Sequence, residues 1–177
     1  LHFRNLPVGD FGRALGGSTG ARVIFGASGG VLEAALRTAV EEMNGKTLDS
    51  VDFVDVRGYE GIKEASNHVN GTDVKVCSVS GMSNVEKVLR AVKDGDVFYH
   101  IIEIMACLGG CINGGGQPSQ PAHVRNYVDL KGLRSKALYS EDLAKKERKS
   151  PDHPLVPQVY KDYVGKHGSE KAHHVLH

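Results

Sequence analysis

The 177-residue sequence reads as an α/β protein, a mixed sheet with flanking helices, followed by a helical C-terminal tail. Helical stripes alternate with extended apolar runs, an Asn-Gly pair separates two extended arms, and the chain turns charged and His-rich beyond Pro121. Residues 1–20 are irregular, broken by Pro7, Gly9, Gly12, Gly16, Gly17 and Gly20. Residues 21–25 form a short apolar run that predicts a strand entering Gly26-Ala27-Ser28-Gly29-Gly30. Leu32, Ala35 or Leu36, Ala39 and Met43 then recur every three or four residues, which predicts a helix. Ser28 or a following glycine starts it and Asn44-Gly45 stops it. Residues 51–56 predict a second strand.

Residues 62–69 and 72–79 flank Asn70-Gly71, the pair that suits the two positive-φ positions of a tight hairpin turn. Ser83 and Glu86 have capping-box spacing, and Val85, Val88, Leu89 and Val92 give the apolar stripe of a second helix ended by Asp94-Gly95-Asp96. Residues 97–105 are nearly all apolar or aromatic, which predicts a strand buried on both faces. In the tail, helices are predicted over 132–147, 155–164 and 169–176.

Composition narrows the function. Hydrophobic residues at 40% and charged residues at 24% describe a folded chain. The 22 Lys and Arg nearly cancel the 21 Asp and Glu, so bulk electrostatics do not drive nucleic-acid binding. No apolar run reaches the ~18 residues of a membrane span, and no signal-peptide pattern opens the chain. Three cysteines are too few for a secreted disulfide framework and point to a reduced, cytoplasmic setting. With Leu1 in the place of Met, the chain is expected to begin inside a longer polypeptide.

The chemistry concentrates at Cys107-Leu108-Gly109-Gly110-Cys111. Thiolates are soft ligands suited to iron–sulfur clusters, zinc or copper. The glycine pair lets the backbone turn tightly and turns bare amides toward a metal–sulfur group. Two thiols complete neither a tetrahedral zinc site nor a 4Fe–4S cluster. The same residues also fit a tight turn of small side chains with no metal. Cys77, in a hairpin arm, reads as a small buried hydrophobe. Gly26 to Gly30 has the G-x-S-x-G form of a serine nucleophile turn, but Ser28 reads better as a helix cap. Adjacent His173 and His174 point to different faces of a helix and make a poor chelate. Lys145, Lys146, Arg148 and Lys149 read as a solvated face, with docking of an acidic electron donor as a weaker reading.

The run Met105-Ala106-Cys107-Leu108-Gly109-Gly110-Cys111-Ile112-Asn113-Gly114-Gly115-Gly116-Gln117-Pro118 closely resembles the third signature of the iron-only (diiron) hydrogenases. Tyr99 to Ile104 before it, Leu15 to Gly20 with Ile24 to Arg37, and Lys136 to Tyr139, Arg148 to Ser150 and Ser169 to His177 in the tail are similar to the same family. The resemblance implies one lobe of a two-lobed hydrogenase catalytic domain over 1–121 and a small-subunit-like helical segment over 122–177. It implies an active site that joins a 4Fe–4S cube, held by four cysteines, to a diiron unit with CO, cyanide and a bridging dithiolate amine. Cys107 would be a cube ligand, and Cys111 the ligand that also bridges to the diiron unit. Met105 would line the diiron pocket, with Phe25 and Gly26 packed against the diiron ligands. The implied reaction is the reversible oxidation of dihydrogen to protons and electrons, with Cys111 and Met105 at its centre.

Implied partners are the N-terminal half of the catalytic domain and a ferredoxin- or NAD(P)H-linked electron donor, with further iron–sulfur clusters upstream. The family's first two signatures and its proton-relay cysteine are absent from these residues, so the fragment alone is expected to be inactive. Leu108 stands where the family usually has Pro, which frees φ and restores an N–H. The alternatives are a non-enzymatic iron–sulfur relative acting in cluster assembly or sensing, and a hydrolase working through Ser28.

Overall fold

The computed structural model describes residues 6, 7, 9, 16–48, 50–58 and 60–176; Leu15 and His177 of the resembling segments lie outside them, as does much of the irregular N-terminal stretch. A three-stranded sheet runs in the order β1 (Ile62–Val69), β2 (Thr72–Ser80), β3 (Ile101–Met105). β1 and β2 are antiparallel, with Val69 opposite Thr72, so Asn70 and Gly71 alone make the turn. Both take positive φ, 47° and 82°, as this hairpin requires. β3 lies parallel to β2, from Ile101 beside Val76 to Met105 beside Ser80. Helix α3 (Met82–Asp94) makes the crossover. The expected mixed sheet with flanking helices is therefore present.

Side chains of opposite parity on β2 point to opposite faces. Val74 and Val76 join Leu32, Leu36 and Val40 of α2 (Gly30–Asn44), with Val56 and Val69, in one buried cluster. Cys77 and Val79 join Val85 and Val88 of α3 in the other. Each face of β2 is thus covered by one amphipathic helix, and α2 ends at Gly45 with φ 62°, as the sequence predicts.

Four expectations are corrected. Residues 21–25 are helical: α1 (Gly20–Val23) runs into a 3-10 turn (Ile24–Gly26). Thr19 Oγ1 accepts from the Arg22 amide at 3.4 Å, and the Gly20 and Ala21 amides donate to the Glu147 and Arg148 carbonyls at 2.8 and 3.1 Å. The tail satisfies these donors, so no sheet partner is needed. Residues 51–56 carry only a 3-10 turn (Val54–Val56), because Asp52 is drawn to Arg57 and Arg148 and the Val51 carbonyl to Arg37. The Ser83–Glu86 capping box does not form; Gly81, at φ 82°, precedes α3, and Glu86 pairs with Arg90 instead. The last strand is shorter than 97–105 and is not buried on both faces. It is the sheet edge, with Phe98 and Ile104 exposed and Glu103 the buried residue.

The tail comprises α4 (Ala122–Tyr127), α5 (Leu130–Ala144), α6 (Leu155–Val159) continuing as a π-helical turn (Tyr160–Val164), and α7 (Glu170–Leu176). Asp129 caps α5 by accepting from the Gly132 amide at 3.0 Å. A buried ionic network bolts α5 to α2. Arg37 donates to both carboxylate oxygens of Asp142 at 2.8 Å and to Glu33 at 2.8 Å, and all three side chains are fully buried. Arg57 bonds Glu33 and Asp52, and Arg148 bonds Asp52 and Asp142. Three arginines face three carboxylates, so the buried charges are paired. The basic run at 145–149 is therefore not simply a solvated face, since Arg148 is in this network and Lys149 bonds Glu41 at 2.6 Å.

Candidate metal centre

The β3 strand delivers Met105 to the protein surface, where its carbonyl accepts from the Gly81 amide at 2.9 Å. The chain then turns through Cys107 to Gly114. The Gly110 amide donates to the Cys107 carbonyl at 3.0 Å, the Gly114 amide to the Cys111 carbonyl at 3.0 Å, and Asn113 Nδ2 to the Leu108 carbonyl at 3.1 Å. Gly109 and Gly110 take φ of 82° and 92°. A Cβ on Gly110 would stand 2.7 Å from the Ser28 nitrogen and 2.8 Å from the Gly26 carbonyl oxygen, so glycine is required twice over, for conformation and for space.

That close approach brings the predicted site residues together. The Ser28 amide donates to the Gly109 carbonyl at 3.0 Å, which sets the turn carrying Phe25 and Gly26 directly against the cysteine loop. Gly26 is wedged further: a Cβ there would lie 3.0 Å from Leu138 of α5 and 3.9 Å from Ile112. The tail also holds the loop from outside, through Arg134 Nη1 donating to the Ile112 carbonyl at 2.8 Å. Leu108, where the family usually has Pro, lays its side chain over Gly81; a Cβ at Gly81 would be 3.0 Å from Leu108 Cδ2.

The three cysteines divide by environment. Cys107 and Cys111 are exposed, and Cys77 is buried. Burial pushes the Cys77 thiol up to about 11, which makes it inert, as the sequence suggests for a small core residue. Phe25 is 42% exposed and Leu108 51%, so the two accessible thiols sit on an open, partly apolar face. Among the described residues no cluster of three or more His, Cys, Asp or Glu could hold a metal ion. Two exposed thiols on one rigid glycine turn fit a thiolate-held iron–sulfur cluster as half of its ligand set.

Beneath the loop lies a polar cluster that no sequence motif marks. Lys63 Nζ donates to the Ser28 and Gly58 carbonyls at 2.9 Å each and to Ser28 Oγ at 3.3 Å. Burial pushes its ammonium down, against the Glu103 carboxylate, which favours the charged form. Glu103 accepts from the Leu32 amide at 3.3 Å and leaves Oε1 without a partner; burial pushes its carboxyl up. A signal existed in the strand period, because Lys63 shares the parity of buried Val69 on β1. Ser28 is 1% exposed and meets Ser78 and Lys63, not a histidine, and Gly29 precedes α2 with φ 91°. Ser28 is thus neither the helix cap nor a reachable nucleophile.

Comparison with known proteins agrees with this geometry. Residues 1–115 match the iron only hydrogenase large subunit, C-terminal domain, and residues 128–177 the iron hydrogenase small subunit. The chain is 45% identical over 177 residues to the NADP-reducing hydrogenase subunit HndD of Solidesulfovibrio fructosivorans, covering all of this chain and 29% of that protein. It is 39% identical over 177 residues to iron hydrogenase 1 of Clostridium pasteurianum, covering all of this chain and 31% of the relative. Over 121 residues, 68% of this chain and 29% of the relative, it is 53% identical to the periplasmic Fe hydrogenase large subunit of Nitratidesulfovibrio vulgaris. The chain therefore spans less than a third of the length of these relatives.

A solved FeFe-hydrogenase structure concerned with the 2Fe subcluster of the H cluster superposes with a TM-score of 0.69 at 31% identity, covering 98% of this chain and 48% of that one. Cytosolic iron-sulfur assembly component 3 of Rattus norvegicus is a weaker relative, 28% identical over 153 residues, 86% of this chain and 31% of that protein. Iron-only hydrogenases carry the H-cluster, a 4Fe–4S cluster linked to a diiron subcluster. With its large-subunit and small-subunit segments both matched, the chain belongs to the iron-only hydrogenase family.

Proposed function

We propose that this chain is part of a hydrogenase that interconverts dihydrogen with protons and electrons, and that it supplies two of the four thiolates of the H-cluster cube. The observation that carries the reading is the placement of two exposed thiols, Cys107 and Cys111, on a glycine turn hydrogen-bonded to the Phe25–Gly26 segment. When bound, the cluster supplies the redox chemistry and the site for dihydrogen. In this reading Cys107 and Cys111 would both hold the cluster through their thiolates, with Cys111 the one shared with the diiron unit. Met105, two residues before Cys107, would line the pocket, with Phe25 and Gly26 packed against the diiron ligands. A dry apolar wall raises the strength of every polar contact made inside it.

Residues 1–121 would act as the large-subunit lobe and 122–177 as the small-subunit-like segment that holds it, a division supported by where the two family matches fall. The other two ligands and the proton-relay cysteine are assigned to the N-terminal half of the catalytic domain. The electron donor is a ferredoxin or an NAD(P)H-linked protein. A cytoplasmic setting is supported by a cysteine count of three, too low for a disulfide framework; no helix among the described residues is long and apolar enough to cross a membrane.

Isotope exchange tests the activity. The metal-loaded protein, complete with the segment carrying the other ligands, should form HD from dihydrogen in deuterated water. Retained iron with no exchange would overturn the enzyme reading in favour of an assembly or sensing role.

A further inference from the structure

We infer that Lys63 is a positioning residue for the cluster pocket: its buried ammonium locks Ser28, and Ser28 in turn locks the cysteine loop to the Phe25–Gly26 turn. This deepens the hydrogenase reading and rests on it only for the effect on the cluster. Ser28 works as a pin with two ends. Its carbonyl accepts from Lys63 Nζ at 2.9 Å, and its amide donates to the Gly109 carbonyl at 3.0 Å. The Gly109 amide completes the clasp by donating to Ser80 Oγ at 3.3 Å, so Gly109 is held from both sides.

Among the described residues no other side chain donates to the Ser28 carbonyl. Ser28 Oγ lies 3.3 Å from Ser78 Oγ, but that contact leaves the Ser28 carbonyl unserved. A buried lysine is expensive to keep, since desolvation disfavours its charge. Lys63 is only 7% exposed, yet its ammonium meets Ser28 and Gly58 oxygens, three acceptors for its three N–H groups. Gly29 is shaped around it: a Cβ there would be 1.8 Å from the Val56 carbonyl oxygen and 3.3 Å from Lys63 Nζ. Lys63 lies at the start of β1, and Gly58 in the segment before it, so one side chain ties the hairpin and its lead-in to the turn. A hydrogen bond from a charged donor to a buried carbonyl is among the stronger single contacts in a fold.

The test compares K63M, K63Q and K63R by amide hydrogen exchange at Ser28 and Gly110, with the amides of α2 and α3 as internal references. K63M should speed exchange at Ser28 and Gly110 by roughly tenfold or more while α3 keeps its protection. K63R, which keeps a charged donor, should stay nearer to the parent. Should K63M fail to fold, K63Q carries the same expectation, because an amide cannot serve all three acceptors. Unchanged exchange at Ser28 in a folded K63M or K63Q overturns the inference. Equal acceleration throughout the molecule also overturns it, because Lys63 would then be a general stabiliser.

Exchange needs no cluster, so this result stands apart from the fate of the hydrogenase reading. In the metal-loaded protein, K63M should in addition lower the midpoint potential of the cube and shift its electron paramagnetic resonance signal, with K63R restoring both. Loss of a cation from beneath the cysteine loop would disfavour the more negative, reduced cluster. An unmoved potential and signal in K63M would overturn the claim that the brace reaches the cluster.

Discussion

Replacing Cys111 by Ser is expected to abolish activity and strip iron from the metal-loaded protein while leaving the fold intact. A hydroxyl is a hard, weakly acidic ligand where iron–sulfur clusters take soft thiolates. In the proposed site Cys111 has two duties, closing the cube and bridging to the diiron unit, so one substitution removes both. The fold should survive because the Cys111 side chain is exposed, and the structural bonds at that position use its backbone. Its carbonyl accepts from the Gly114 amide at 3.0 Å and from Gln117 Nε2 at 3.2 Å, and C111S keeps both. Thermal unfolding of the metal-free protein should thus differ from the parent by no more than about 0.5 kcal/mol. Iron analysis beside a melting curve checks the pair of outcomes; a C111S protein with full iron and full activity would remove Cys111 from the ligand set.

The largest effect on stability is expected at Asp142. Its carboxylate, fully buried, receives two bonds from Arg37 at 2.8 Å and two from Arg148 at 2.6 and 3.4 Å. Asp142→Ala would leave the Arg37 guanidinium in the interior with Glu33 as its remaining charged partner, a neighbour that Arg57 already shares. Removing one partner of a buried pair costs about 3–5 kcal/mol. The loss should show as a lower denaturation midpoint and as early proteolysis of the tail, since Asp142 joins α5 to α2. A D142A protein as stable as the parent would mean that the network adds nothing to docking of the tail.

The same network sets an acid limit. Burial alone would raise the Asp142 carboxyl, but the Arg37 and Arg148 hydrogen bonds outweigh it and bring the group below its ordinary value. Arg148 and Arg57 hold Asp52 well below the usual carboxylate range. Both groups therefore bind a proton more readily when unfolded. Their contribution is fully present above the unfolded value near about 4 and is lost as pH falls below it toward the folded values. Stability of the parent should drop steeply below about pH 4, and D142A should show a shallower fall.

Much of this architecture is legible in the residues because it is local. Asn70-Gly71 specifies its hairpin through the φ values those two residues tolerate, and Gly45 ends α2 for the same reason. The cysteine loop is equally local, as its turn is written in Gly109 and Gly110. The errors lie where distant chain decides. The 21–25 run is apolar enough for a strand or a buried helix, and the choice falls to the Glu147 and Arg148 carbonyls, more than a hundred residues away, which take the Gly20 and Ala21 amides where it starts. The 51–56 run is unpaired because Asp52 is claimed by Arg148 from the tail. Ser83 and Glu86 have the spacing of a capping box, but the left-handed backbone at Gly81 sets the start of α3.

The candidate site divides the same way. Cys107, Cys111, Met105, Phe25 and Gly26 stand out in the sequence through resemblance to a family, and the fold places the Phe25–Gly26 turn against the cysteine loop. Lys63 and Glu103 do not stand out in the sequence because charged residues in strands are ordinarily exposed. The strand period hints at Lys63 through Val69, and the folded sheet shows both side chains pointing inward, toward Ser28 and Leu32.

The infrared spectrum of the metal-loaded protein, taken beside its iron content, tests most directly the claim that Cys107 and Cys111 hold an H-cluster. Metal-bound CO and cyanide absorb where protein groups do not, and the account predicts bands from both, lost together in C111S. A protein that binds its full iron and shows no such bands would contradict the account and leave a plain iron–sulfur site at these two cysteines.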